Sequence, residues 1–442
     1  MKKQYQSISV YDAFEQRMKF IFEEFDNIYV SFSGGKDSGL LLNMVLDYRR
    51  KYYPDRNIGV FHQDFEAQYT LTTEYVERTM ERIKNEAELY WVCLPMATRT
   101  ALSNYEMYWY PWDDTRPELW VRPMPQHEYV VNLQNNPIST YRHRMHQEDL
   151  AKQFAKWYKI SHENKKTVCL LGIRADESLH RYSGIINKKY GYKEQCWITN
   201  EFKDVWSASP IYDWSLSDVW YANYRFGYDY NKLYDMYFKA GLAPEQMRVA
   251  SPFNDYAKDS LNLYRIIDPA IWTRLVGRVR GVNFGAIYGR TKAMGYRNLT
   301  LPVGHTWESY TKFLLDTLPV KLRNNYIRKF ATSIDFWHHT GGGLDESAIR
   351  ELEEKGYRIR RNGISNYTVR KHYRVIFLDK IPDDTDDIKS TKDIPSWKRM
   401  CFCILKNDHT CRFMGFGLTR EQQARVDTLK AKYLKVGEQN GI

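Results

Sequence analysis

Ser33-Gly34-Gly35-Lys36-Asp37-Ser38 stands between a short β-branched and aromatic run, Asn27 to Phe32, and the apolar helical pattern of Leu40 to Tyr48. Binding a phosphate needs backbone N–H groups turned into a concavity, glycines that let the main chain come close, and a helix N-terminus carrying roughly half a positive charge. The string supplies all three, and its spacing is not that of the GxxxxGK[ST] loop. Ser33 and Ser38 add hydroxyl donors, Lys36 adds a point charge, and Asp37 can either orient a magnesium ion or cap the helix.

The string resembles the SGGxDS loop of the PP-loop ATP pyrophosphatases, adenylating enzymes that split ATP between its α and β phosphates. Gly172-Ile173-Arg174-Ala175-Asp176-Glu177-Ser178 is similar to the GxRxxES signature of the phosphoadenosine phosphosulfate (PAPS) reductase-like branch. Pro210-Ile211-Tyr212-Asp213-Trp214 with Asp218-Val219-Trp220 is similar to that branch's Pro…Trp…Asp-Val-Trp element. The resemblance spans residues 27 to 220. It implies an adenine nucleotide alpha hydrolase-like fold, with ATP and magnesium as cofactors.

Carried onto this chain, the resemblance implies a nucleotide site of Ser33, Gly34, Gly35, Lys36, Asp37, Ser38, Asp64, Arg174 and Arg181, with Lys36, Asp37, Arg174 and Glu177 acting in catalysis. Arg174 sits where ligands of open α/β sheets bind, and its planar fork suits a pair of phosphate or sulfate oxygens. Glu177 is expected to bind magnesium, with Asp37, or to position Arg174; Arg181, one helical turn on, reaches the same anion or pairs with Glu177. Asp64 either meets the adenine and ribose, with Phe61 and His62 giving backbone contacts to the base, or caps the following helix. Trp214 and Trp220 are expected to pack beneath the loop.

A PAPS reductase needs a nucleophilic cysteine in a C-terminal Glu-Cys-Gly segment, which this sequence lacks. The expected activity is therefore ATP cleavage to AMP and pyrophosphate with adenylation of an acceptor. The alternatives are sulfonucleotide reduction or sulfate activation, and a nucleotide-sensing regulatory subunit. The whole-chain pattern resembles bacterial and phage PAPS reductase-like proteins of the immunoglobulin-binding regulator A type, which implies a ParB/sulfiredoxin-like protein partner.

Cys401, Cys403, His409 and Cys411 offer thiolate and imidazole ligands for zinc, though Cys-x-Cys lacks the two-residue turn of structural zinc knuckles. The alternative places Cys401 and Cys403 on one face of a strand with Cys411 in a loop. Cys93 and Cys169 read as buried core thiols. Arg358, Arg360, Arg361, Arg370, Lys371 and Arg374, interleaved with Tyr357, Tyr367 and Tyr373, suit a nucleic acid backbone with stacked bases, or a solvated hairpin neutralised by Asp383, Asp384, Asp386 and Asp387.

These groups need a scaffold. Strand patterns at Asn27 to Phe32, Asn57 to His62, Glu88 to Leu94 and Thr167 to Gly172 alternate with helical patterns at Leu40 to Tyr48, Thr70 to Ala87 and Asp149 to His162. Such alternation predicts right-handed βαβ units and a doubly wound parallel sheet, an α/β fold class. A Pro- and Trp-rich insertion occupies about 95–147. The expected organisation is a nucleotide-binding domain over 1–220, a mainly helical domain over 221–340 and a basic α+β domain over 341–442, with a final helix from Thr419.

The chain has 442 residues, 43% of them hydrophobic and 15% aromatic, which excludes collagen-like and mostly disordered classes. A net charge of +11 favours an anionic substrate or polyanionic partner. No apolar run approaches the roughly 20 residues that cross a bilayer, so no membrane span is expected. Six cysteines and no readable secretory signal make the expected location cytoplasmic.

Overall fold

The computed structural model describes residues 6–103, 105–178, 181–182, 191–200, 205–254, 261–288, 301–364, 373–388 and 394–414. Tyr367, Arg370, Lys371 and the expected helix from Thr419 lie outside them. The chain divides into two compact units, Met1–Arg99 with Tyr108–Val279, and Thr100–Met107 with Arg280–Ile442.

In the first unit Ser9 caps α1 (Val10–Glu24), which buries Phe14, Met18, Ile21 and Phe22, positions that share one face of a 3.6-residue period. After it come β1 (Asn27–Ser31), α2 (Lys36–Tyr52), β2 (Gly59–Gln63), α3 (Thr70–Ile83) and β3 (Glu88–Val92). The insertion contributes β4 (Thr98–Arg99), β5 (Tyr108–Trp109) and β6 (Val130–Val131). Then come α4 (Gln147–Ser161), β7 (Thr167–Leu171), β8 (Gly191–Tyr192), β9 (Gln195–Thr199), β10 (Trp206–Ala208), α5 (Leu216–Phe226) and α6 (Leu233–Lys239).

The main sheet has the order β6-β3-β2-β1-β7-β10-β9-β8, parallel from β6 to β10 and antiparallel at its β9 and β8 edge. Ile28 and Val30 face a layer built by α1, α2 and α3, while Tyr29 turns to the opposite face with Phe154 and Tyr158 of α4. Covering both faces explains why these strands read as continuous apolar runs and not as alternating ones. The fold is thus α/β with a mainly parallel, doubly wound sheet, as the strand and helix patterns predict.

From β1 the chain works outward through β2, β3 and β6 on one side, then returns to place β7 on the other side of β1. That reversal opens a crevice beyond the carboxyl ends of β1 and β7, where open α/β sheets bind their ligands. The first unit also runs past residue 220, taking in α5, α6 and the helix Pro269–Arg278.

The second unit contains the helices Trp307–Thr317 and Val320–His339 and a three-stranded antiparallel sheet, in which Tyr373–Phe377 lies between Gly342–Leu344 and Ile359–Ile364. Asn407 and His409 hold the carbonyls of Ala101 and Ser103 at 3.1 and 2.9 Å, which ties the Thr100–Met107 excursion into this unit. Among the described residues no helix is long and apolar enough to cross a membrane.

Two expectations are corrected here. Cys401 and Cys403 lie on a helix, Trp397–Leu405, in which Met400, Cys401, Cys403 and Ile404 are buried at helical spacing. The zinc set is not assembled either, since no group of three metal-binding side chains converges among the described residues. His409 spends one ring nitrogen on the Tyr326 hydroxyl and the other on the Ser103 carbonyl, while Cys401 meets Thr311 and Cys403 meets Cys411. Burial pushes the Cys401 thiol up to about 12, as for a thiol packed in a core. Cys93 and Cys169 are buried thiols, as expected.

Candidate functional site

Gly34 takes φ +75°, the left-handed region that glycine enters without a Cβ penalty, and Gly35 stands at the N-cap of α2 with no side chain to close it. The loop is held by its own hydroxyls. Ser38 Oγ lies 2.9 Å from Ser33 Oγ and accepts from the Ser33 N–H at 3.2 Å.

The segment after β7 closes over this helix start. A Cβ on Gly172 would lie 2.7 Å from the Ser38 nitrogen and 2.8 Å from the Asp37 carbonyl carbon, so only glycine allows the two backbones to approach. Pro210 to Trp214 anchors the residues beyond Gly172. The Ala175 N–H donates to the Tyr212 carbonyl at 2.8 Å, and Arg174 donates through Nη1 to the Trp214 carbonyl at 3.3 Å. Trp214 is itself buried in the core below, as expected.

Loop and segment together line a cavity of about 380 Å³ with Ser33, Lys36, Asp37, Arg174, Glu177 and Arg181. Arg174 is 3% exposed and donates through Nε to Asp37 Oδ1 at 2.6 Å, with Asp176 on Nη1 and Glu177 3.8 Å from Nη2. The second Asp37 oxygen meets Lys36 Nζ at 3.1 Å. Arg181 pairs with Glu177, the second of the two roles open to it. Burial pushes the Glu177 carboxyl above its ordinary value, with Arg181 pulling it down and Asp37 pushing it further up.

Asp64 is at the carboxyl edge but not in this cavity. It is fully buried, accepts from Trp91 Nε1 at 2.6 Å and pairs with Arg122 from the insertion. Burial would raise its carboxyl, yet Arg122, His62 and Trp91 hold it below the usual range. Nor does it cap α3, whose N-cap is Tyr69. Beside it Glu66, at φ 61°, binds Arg278 at 2.8 Å and the N–H groups of Trp112 and Val121, so two buried acids fasten the insertion to the sheet edge. His62 turns its Nδ1 to the Phe32 carbonyl at 2.7 Å.

Three contributors escape the motifs. Tyr234, buried on α6, accepts the Lys36 backbone N–H on its hydroxyl at 3.0 Å and places its ring 5.4 Å from Lys36 Nζ. Trp220 packs edge-on against Tyr234, which explains why an aromatic follows Asp218-Val219. Asn231, fully buried, donates to the Gly34 carbonyl at 3.0 Å and to Thr72 at 2.9 Å, and Arg248 lines the cavity beyond α6. A Tyr or Asn some 200 residues from the loop carries no local signal.

Asp37 and Glu177 form no metal cage with a third ligand among the described residues. Magnesium is usually held by one or two carboxylates together with substrate phosphates; Asp37 and Glu177 are the carboxylates of that kind here, Asp37 paired with Lys36 and Arg174 and Glu177 with Arg181.

Residues 118–240 match the family model described as phosphoadenosine phosphosulfate reductase domain, and residues 241–425 match a domain of unknown function, DUF3440. The chain is 30% identical over 424 residues to a protein of Escherichia coli K12 described as uncharacterized protein YbdN, covering 94% of this chain and 92% of that one. This chain belongs to the YbdN family.

The PAPS reductase-like domain of this YbdN-family chain includes both Gly172–Ser178 and Pro210–Trp220, and the DUF3440 match begins seven residues before Arg248. Among solved structures the chain is similar to phosphoadenylyl-sulfate reductase from Candida auris in a phosphate complex, at 13% identity and TM-score 0.29 over 52% of this chain and 85% of that one. It is similar also to Candida glabrata FMN adenylyltransferase with FMN and the ATP analog AMPCPP, at 15% identity and TM-score 0.29 over 53% and 64%. A third likeness is to NH3-dependent NAD synthetase from Campylobacter jejuni, at 12% identity and TM-score 0.25 over 63% and 96%.

Proposed function

We propose that this cavity binds ATP with magnesium and that the chain adenylates an acceptor, releasing pyrophosphate. One observation carries the reading: the phosphate-type loop after β1 and the Arg174 segment after β7 meet at the reversal point of a parallel sheet, around a single cavity. An acceptor oxygen bonds to the α-phosphorus while the bond from that phosphorus to the α,β-bridging oxygen breaks. The electron pair leaves with pyrophosphate and the acceptor's proton passes to water.

The loop N–H groups and Lys36 lie where charge develops on the departing phosphates, and positioning with charge stabilisation supplies most of the rate in such transfers. Magnesium, when bound, neutralises phosphate charge. Arg174 exchanges one of its carboxylate partners for a phosphate oxygen pair, a trade between charge-assisted bonds of similar strength.

The acceptor is proposed to be a nucleobase or nucleic acid, supported by the exposed Arg360 on the edge strand Ile359–Ile364. The acidic stretch does not cancel this surface: Asp384 and Asp386 hold Lys398, Asp387 holds Lys355, and Asp383 caps Trp307–Thr317. Arg358 and Arg361 pair instead with Asp379 and Glu346. Mass spectrometry of reactions with RNA, DNA and small metabolites tests this reading; an AMP adduct on an acceptor supports transfer, and none on any acceptor contradicts it.

The domain match over residues 118–240 favours a second reading, a sulfonucleotide in the same cavity. Reduction would need a redox thiol. In a triple replacement of the buried Cys401, Cys403 and Cys411 that keeps the fold, activity stays intact under the first reading and is lost under the second.

A further inference from the structure

Of the cations around the cavity, Lys36, Arg174 and Arg181 each face a carboxylate of the cavity itself. Arg248 does not. It lines the same cavity from beyond α6, it is exposed, and Nη2 donates to the Glu177 backbone carbonyl at 3.3 Å, with no carboxylate paired to it among the described residues. A Tyr237 hydroxyl bonded to the Arg248 carbonyl at 3.4 Å anchors its main chain while leaving the guanidinium at the mouth.

We propose that Arg248 receives the polyphosphate tail of the nucleotide and retains pyrophosphate as the leaving group, an inference that rests on the nucleotide reading above. ATP brings about four negative charges, more than magnesium and Lys36 offset, and the tail is its most charged and most hydrated part. The inner cations are already engaged by Asp37, Asp176 and Glu177, so a further anionic group finds at Arg248 a lining cation that no carboxylate among the described residues holds. A guanidinium also keeps its charge at every relevant pH and offers several donors in one plane, which matches phosphate oxygens better than an ammonium does. Its place after α6 means that the second family-model segment, and not only the PAPS reductase-like domain, builds the nucleotide cavity.

The test is calorimetric titration of inorganic pyrophosphate, AMP and ATP, each with magnesium, into the full chain and into its Arg248→Gln and Arg248→Lys variants. Because Arg248 is exposed, neither replacement opens a core cavity. The expected result is a loss of pyrophosphate affinity of about 10- to 100-fold in Arg248→Gln, the range for one charge-assisted hydrogen bond, with AMP affinity unchanged and Arg248→Lys between the two. Pyrophosphate bound equally by the unmodified chain and Arg248→Gln overturns the assignment while leaving the nucleotide reading standing. AMP weakened as much as pyrophosphate overturns it too, because Arg248 would then serve the α-phosphate. An unmodified chain that binds neither ATP nor pyrophosphate overturns the nucleotide reading itself, and this proposal with it.

Discussion

Arg174 Nε lies 2.6 Å from Asp37 Oδ1, joining the two sequence motifs across 137 residues. Since the other Asp37 oxygen holds Lys36 at 3.1 Å, one carboxylate sets the spacing of the two cations proposed to meet phosphate.

Lys36 and Arg174 should therefore fail differently. Lys36→Ala removes a charge but leaves the loop backbone in place, so ATP affinity weakens modestly while turnover falls much more. Arg174→Ala removes the cation that Asp37 and Asp176 share, leaving Asp37 with Lys36 alone, and costs about 2–3 kcal/mol of stability besides weakening ATP binding. Calorimetric titration of an ATP analogue and a denaturant melt of each variant separate these outcomes; two variants that bind, turn over and melt like the unmodified chain would place the pocket elsewhere.

Gly172→Ala should be far more damaging than an ordinary glycine replacement. Its Cβ would meet the backbone of Asp37 and Ser38, which cannot swing away as a flexible side chain can. The expected cost is about 1–3 kcal/mol, as for other overpacked sites, together with loss of ATP binding as the α2 start is displaced. A melt with and without ATP measures both, and an unchanged ATP response would contradict the close approach.

Tyr234→Phe removes the hydroxyl that occupies the Lys36 N–H at 3.0 Å. In the free protein that N–H loses its partner, at about 1–2 kcal/mol. ATP should then raise the melting temperature by more in the variant than in the unmodified chain, because the phosphate no longer displaces a competing acceptor. An equal ATP shift in both would show that Tyr234 only packs.

Glu177 gives the pH dependence a definite sign. Its folded-state carboxyl is raised, so the folded protein binds this proton more tightly than the unfolded chain. Its contribution is fully present below the ordinary value of 4.5 and is lost as pH rises through the elevated folded value. His62 and His409, both lowered mainly by burial, act oppositely near the same range, so the difference between the unmodified chain and Glu177→Gln is what isolates the effect. That difference should move against the unmodified chain with rising pH from 4.5; a flat difference would contradict the burial of the carboxyl.

Much of the scaffold is legible because β1, β2 and β7 are covered on both faces and announce themselves as short apolar runs, ending where Ser33, Asp64 and Gly172 begin loops. The loop and Arg174 are legible for the same reason, as residues just past a strand. Asp64 is equivalent to them by position, yet Arg122, 58 residues on, seals it inside the insertion. Cys401 and Cys403 fit a strand face by their spacing of two, whereas the buried Met400 and Ile404 on either side follow the helical period that prevails. Tyr234, Asn231 and Arg248 reach the cavity only through tertiary packing, against which local spacing is silent.

The most direct test of the central claim is to resolve the nucleotide products by ion-exchange chromatography after incubating the full chain with ATP, magnesium and pooled nucleic acid and metabolite acceptors. Cleavage between the α and β phosphates predicts AMP, free or attached to an acceptor, with pyrophosphate in equal amount. ADP with orthophosphate would contradict it.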